Sequence, residues 1–136
     1  MKYLLDTNVI SDVVKGHPVV LPRFKQTQPS ALGISCITAM EIEFGLQINP
    51  ERARKLAPVM DALLANIAIL DFSLEDAHAA ATLRAALRKR GTPIGPYDCL
   101  LAGCALRHGL VFVTDNTAEF ERVGGLQLEN WRELIS

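Results

Sequence analysis

Apolar positions along the chain alternate between short solid runs and helical spacing. KYLL (2–5) reads as a short buried strand, and the DTN behind it opens a helix at Val9. Val9, Ile10, Val13 and Val14 give that helix its stripe, and Pro18 and Pro22 break up the segment that follows. LGISCI (32–37) has the pattern of a second strand and TAMEIEFGLQI (38–48) that of the helix after it. Asn49-Pro50 starts another helix with proline in its first turn. Leu56, Val59, Met60, Leu63, Leu64 and Ile67 keep its rhythm, with Pro58 as a potential kink. IAIL (67–70) is a third strand, and Ser73 caps a helix that runs through Arg90 to a stop at Gly91. GPYDCLLAGCAL (95–106) is a helix apolar on nearly every side, with the carboxylate of Asp98 at its lip. GLVFV (109–113) supplies a fourth strand, TDNTAEF another helical turn, and LQL (126–128) a short edge strand.

Strands alternating with helices predict an α/β domain whose sheet is mainly parallel and covered. Ligands bind such sheets at the carboxyl ends of the strands. With no repeat, linker or low-complexity tract, the 136 residues are expected to form one domain, 1–136. A 49% hydrophobic and 21% charged composition is that of an ordinary globular protein. No apolar run approaches the ~20 residues that span a bilayer, and the N-terminus has no signal pattern, so a cytoplasmic location without membrane attachment is expected. Cys36, Cys99 and Cys104 lie in apolar surroundings without C-x-x-C spacing, as reduced buried thiols do. His17, His78 and His108 are too scattered to suggest zinc. The net charge of −1 offers no global attraction for nucleic acid, so such binding must be local.

Four acids carry the candidate chemistry, and each alone has a simpler role. Asp6 could cap a helix, and Glu41 could close a T-x-x-E capping box with Thr38. Asp98 suits the positive end of a helix dipole, and Asp115 could be a turn acid. Together, however, Asp6, Glu41 and Asp115 follow strands or open the next helices, and Asp98 opens the helix leading to the fourth strand. All four would collect along one sheet edge. Two carboxylates ~4 Å apart repel by roughly 4 kcal/mol at an effective dielectric near 20. Such a cluster needs shared protons or a bound cation, and no Lys or Arg adjoins the four in sequence. A hard, oxygen-ligated cation such as Mg2+ or Mn2+ fits best, with phosphoryl chemistry as its use. Asp115 ranks slightly ahead of Glu119 as the fourth acid, with Asn116 as a neutral ligand or orienter. Thr7 and Thr114 flank the acids and can support them by hydrogen bonding or simply cap. Arg84, Arg88, Lys89, Arg90 and Arg107 could hold a phosphodiester backbone, or merely solvate helix ends.

The four acids in this order, with LLDTN at the start, resemble the PIN domain family of metal-dependent nucleases. GTPIGPYDCLLAGCAL followed by VTDNTAEFERVGGLQLENW narrows the resemblance to the VapC toxin ribonucleases of bacterial toxin–antitoxin pairs. It runs from Lys2 to about Trp131, and the middle matches chiefly at SCITAMEIEFG. The resemblance implies a three-layer α/β/α fold and an endoribonuclease that uses Mg2+, with Mn2+ able to substitute. It implies Asp6, Glu41 and Asp98 as metal ligands in hydrolysis of RNA by activated water. Relatives vary in the fourth acid among the positions of Asp115, Asn116 and Glu119, and here 116 is Asn rather than Asp. A homodimer and a small VapB-type antitoxin that inserts a segment into the active-site groove are also implied. The alternatives are a non-catalytic PIN-like module that binds RNA or protein, a nuclease acting on DNA or flap structures, and a metal-dependent phosphatase. Against the last, phosphatases of the haloacid dehalogenase type carry D-x-D after the first strand, where Asn8 stands here.

Overall fold

The computed structural model describes residues 1–133; the last residues of the expected single domain, 134–136, lie outside the described residues. The chain runs β1 (Tyr3–Leu5), α1 (Thr7–Val14), α2 (Val20–Gln26), a 3-10 turn (Pro29–Ala31), β2 (Leu32–Ser35) and α3 (Cys36–Gln47). It continues through α4 (Pro50–Leu64), β3 (Ala68–Leu70), α5 (Leu74–Lys89), α6 (Pro96–His108), β4 (Val111–Val113), α7 (Thr117–Phe120) and β5 (Leu128–Glu129).

The strands form one sheet in the order β3-β2-β1-β4-β5, with every pair parallel. Successive strand residues point to opposite faces, and the two cores divide accordingly. Leu5 and Val113 pack with Val9, Ile10, Val13, Ile42 and Met60. Leu4 and Phe112, their neighbours in sequence, pack with Leu87, Leu101, Ala105 and Phe120 on the other side. The result is the expected three-layer α/β/α arrangement. From β1 the chain steps outward to β2 and β3, then returns across β1 to β4. The direction of winding therefore reverses between β1 and β4, and the crevice for a ligand opens at their carboxyl ends.

Three local expectations change. Pro18 stands in the break between α1 and α2 as expected, but Pro22 does not break the segment. Pro22 stands in the first turn of α2, where its missing N–H has no intrahelical acceptor to lose. The His17 ring nitrogen Nδ1 accepts from the N–H groups of Val19 and Val20 at 3.2 and 3.3 Å, which caps that helix from outside. The second strand ends at Ser35, whose hydroxyl accepts from Ile37 N–H at 3.1 Å and starts α3 early. Thr38 is consequently inside the helix, and no capping box forms with Glu41. The last strand is Leu128–Glu129, shifted along from LQL.

Helices α5 and α6 pack antiparallel through a glycine. A Cβ on Gly103 would stand 2.9 Å from the backbone nitrogen of Ala80 and 3.0 Å from its Cα. That close approach sinks α6 until Cys99, Leu101, Ala102, Cys104 and Ala105 are all buried. Its first turn, with Asp98, is thereby held against the sheet.

Candidate active site

β1 ends at Leu5, and the chain turns into α1 on Asp6. The Asp6 carboxylate caps α1, taking a hydrogen bond from Thr7 N–H at 2.7 Å. Its other oxygen accepts from the Thr114 hydroxyl at 2.8 Å, directly behind β4. Capping and convergence thus coexist in one side chain. Only 8% of Asp6 is exposed, and burial raises its pKa against the pull of those two bonds. Asp115 and Glu119 raise it further by repulsion.

Glu41 sits one turn inside α3, half-buried. Burial and the charge of Asp6 lift its pKa, while the Thr7 hydroxyl beside it works in the opposite direction. That hydroxyl is buried yet closes no hydrogen bond of good geometry. Asp98, on the first turn of α6, lies near enough to both acids to feel their charge. Burial, then Glu119, Asp6 and Glu41, push it up to about 7. Glu119 beside it is held below the usual range, chiefly by the Gly95 N–H at 2.8 Å. Asn116 donates to the other Glu119 oxygen at 2.7 Å. Gly95 permits the approach, because a Cβ there would lie 3.1 Å from an Asp98 oxygen and 3.8 Å from one of Glu119.

Asp115 faces elsewhere. One of its oxygens accepts from the Asn8 amide at 3.2 Å, and the other pairs with Arg132 at 3.0 Å. Arg132 also grips Asp12 of α1 with two nitrogens at 2.7 and 2.9 Å. No sequence spacing pointed to this link, which joins three segments far apart in the chain. Of the basic group, Arg107 is at the far end of α6, about 13 Å along the axis from Asp98. There it bonds Asp76 at the start of α5. The end of α5, with Arg84 and Arg88, lies at the Asp98 end, and Arg84 is near enough to act on Cys99.

The donor set suits a hard cation. Among the described residues, Asp6, Glu41 and Asp98 form no ion pair with Lys, Arg or His. All the converging ligand atoms are oxygens, and the unpartnered Thr7 hydroxyl adds another beside Glu41. Asp76, Cys104 and His108 also bring donor atoms within 4.8 Å of one another. That second group does not fit a metal. Asp76 is already taken by Arg107 and by the N–H and hydroxyl of Ser73, and burial pushes the Cys104 thiol up to about 11.

The PIN domain family profile matches residues 3–126, from β1 to the approach to β5. The chain belongs to the PIN domain family. Among similar PIN proteins is the tRNA(fMet)-specific endonuclease VapC of Shigella flexneri, 39% identical over 96% of this chain and 98% of its own. Ribonuclease VapC2 of Haemophilus influenzae is 36% identical over the same shares. In three dimensions the chain is similar to one in the crystal structure of DNA-bound VapBC from Salmonella typhimurium. That match has a TM-score of 0.87 and 38% identity, covering 96% of this chain and 98% of the other. The PIN fold expected from the motifs is therefore the fold observed.

Proposed function

We propose that this PIN domain is a metal-dependent endoribonuclease and the toxin of a type II toxin–antitoxin pair. The observation that carries the reading is the convergence of Asp6, Glu41 and Asp98 at the carboxyl edge of the sheet, with none of them in an ion pair among the described residues. The names of the VapC relatives support the ribonuclease activity. Asp6, Glu41 and Asp98 would hold Mg2+, or Mn2+ in its place. When bound, that ion supplies charge neutralisation at the scissile phosphate and a lowered pKa for the attacking water.

The remaining steps belong to the protein. Thr114 and Thr7 N–H fix both oxygens of Asp6, so its carboxylate cannot rotate away. Glu119, braced by Gly95 and Asn116, serves as the fourth acid ahead of Asp115. Burial and its acidic neighbours favour the protonated form of Asp98 in the metal-free protein, and losing that proton makes it available as an anion beside Glu119. Arg84 and Arg88, at the same end of the domain, are placed to contact the RNA backbone.

Further supports concern partners. The similar Salmonella chain was crystallised as a VapBC complex. A groove of about 160 Å³ begins at Glu41 and Thr7 and continues between α1, α3 and α4 past Ile42, Leu46 and Met60. It suits an inserted segment of a VapB-type antitoxin. Met40 and Phe44 on α3 and Ile48 at its C-terminal cap, four apart, stay exposed and are available to a homodimer contact. No described helix is long and apolar enough to cross a membrane.

The test is cleavage of initiator tRNA and total RNA by the purified protein with Mg2+ or Mn2+. Cleavage is expected with either ion and none in excess EDTA. Unchanged cleavage in EDTA would overturn the metal chemistry. RNA binding without cleavage or growth inhibition would instead identify a non-catalytic binding module.

A further inference from the structure

We propose that Arg132 is a positioning residue that keeps Asp115 out of the metal cluster and leaves the fourth place to Glu119. The inference rests on the metal-site reading above and adds to it a device built from the end of the chain. Trp131 is 1% exposed and packs edge-on against Tyr3 of β1, with ring centres 5.5 Å apart. Its indole N–H donates to Glu129 at 3.1 Å, and Asn130 accepts from the Arg132 N–H at 3.0 Å. The backbone beneath Arg132 is therefore fixed before its side chain makes any contact.

That side chain then binds two acids at once. Its Nε and Nη2 form a fork on Asp12 at 2.7 and 2.9 Å, leaving Nη1 for Asp115 at 3.0 Å. A planar guanidinium gripped on one edge presents its remaining nitrogen in one direction. Asp115 is consequently held by a cation on one oxygen and by Asn8 on the other, 3.2 Å away. Its neighbours face the site: Thr114 bonds Asp6, and Asn116 bonds Glu119. Anchoring Asp115 thus sets the direction of both neighbours and offsets part of the charge of a fifth carboxylate beside an already crowded cluster.

Calorimetric titration with Mn2+ and RNA cleavage, on wild type, Arg132→Gln, Arg132→Lys, Glu119→Gln and the Glu119→Gln/Arg132→Gln pair, decide the matter. Removing a positive charge near the ion is expected to tighten Mn2+ binding to Arg132→Gln by about fivefold. Freed Asp115 is expected to substitute for Glu119, so the double variant cleaves about tenfold faster than Glu119→Gln alone. A residue that only stabilised the fold would move neither quantity in that direction. Arg132→Lys, which keeps the charge and loses the fork, is expected to bind Mn2+ like wild type, and it serves if Arg132→Gln does not fold. Mn2+ affinity in Arg132→Gln at or below the wild-type value, with no recovery in the double variant, overturns the proposal. So does Arg132→Lys binding Mn2+ as tightly as expected for Arg132→Gln. Equal Mn2+ affinity in wild type and Asp98→Asn would show instead that the metal-site reading itself had failed.

Discussion

Asp98→Asn is expected to lower metal-dependent RNA cleavage by about a thousandfold or more while making the metal-free protein harder to melt. Both effects have one cause. The apolar body of α6 carries Asp98 to Asp6, Glu41 and Glu119, and burial with their repulsion pushes its pKa up to about 7. A carboxyl that ionises near 4 when unfolded and near 7 when folded favours the fold fully below pH 4. That contribution is lost as pH rises through 7, where the crowded site must hold the charge. Solvent reaches the half-buried group and screens much of the repulsion, leaving about 1–2 kcal/mol of penalty at pH 8. Asparagine removes the charge and keeps a donor for Glu119. Melting curves without metal should show Asp98→Asn higher by about 4–8 °C at pH 8 and converging with wild type near pH 4. Saturating Mn2+ should raise wild type more than the variant, because only wild type offers the full ligand set. A variant that cleaves at a tenth of the wild-type rate, or melts below wild type at pH 8, would remove Asp98 from the site's centre.

The acids were legible because topology alone brings them together. Asp6 follows β1, Asp98 opens a helix whose apolar sides leave it one place to sit, and α3 springs from β2. Each of those statements needs only local pattern plus the rule for parallel sheets. Glu41 came through a faulty local reading, since Ser35 and not Thr38 caps α3. Its place on the sheet edge survived because the error moved the helix start and not the helix. Pro22 misled for a related reason: proline blocks a helix interior but is harmless in a first turn, and the His17 cap has no sequence signature. Position 115 against 119 could not be settled from sequence. What separates the two acids is a guanidinium that reaches Asp115 from the chain end, and Gly95 and Asn116 holding Glu119. Spacing carries no trace of such long-range partners.

Gly103→Val is expected to lower the melting temperature by about 10 °C or more and to remove cleavage with it. Gly103 lies more than a turn along α6 from Asp98 and has no side chain of its own, so the loss would run through packing. The added Cβ meets Ala80 main-chain atoms at 2.9 and 3.0 Å and the Ala80 side-chain carbon at 3.2 Å. None of those atoms can swing aside as the tip of a long side chain would. Helices α5 and α6 must therefore separate along their whole contact, opening space around Leu87 and Leu101, both buried in the same core. Even Gly103→Ala should destabilise, although alanine is favoured over glycine in a helix by about 1 kcal/mol. Gly45 of α3 isolates that propensity effect, because a Cβ there meets nothing within 4 Å. Gly45→Ala should accordingly raise the melting temperature by a few degrees, about 0.5–1 kcal/mol. Melting curves of the three variants measure the contrast. If Gly103→Ala gains as much as Gly45→Ala, the two helices can slide apart freely, and α6 cannot be what holds Asp98 in place. If it loses while Gly45→Ala gains, the position of the carboxylate is set by a glycine more than a turn away, on the face of α6 that touches α5.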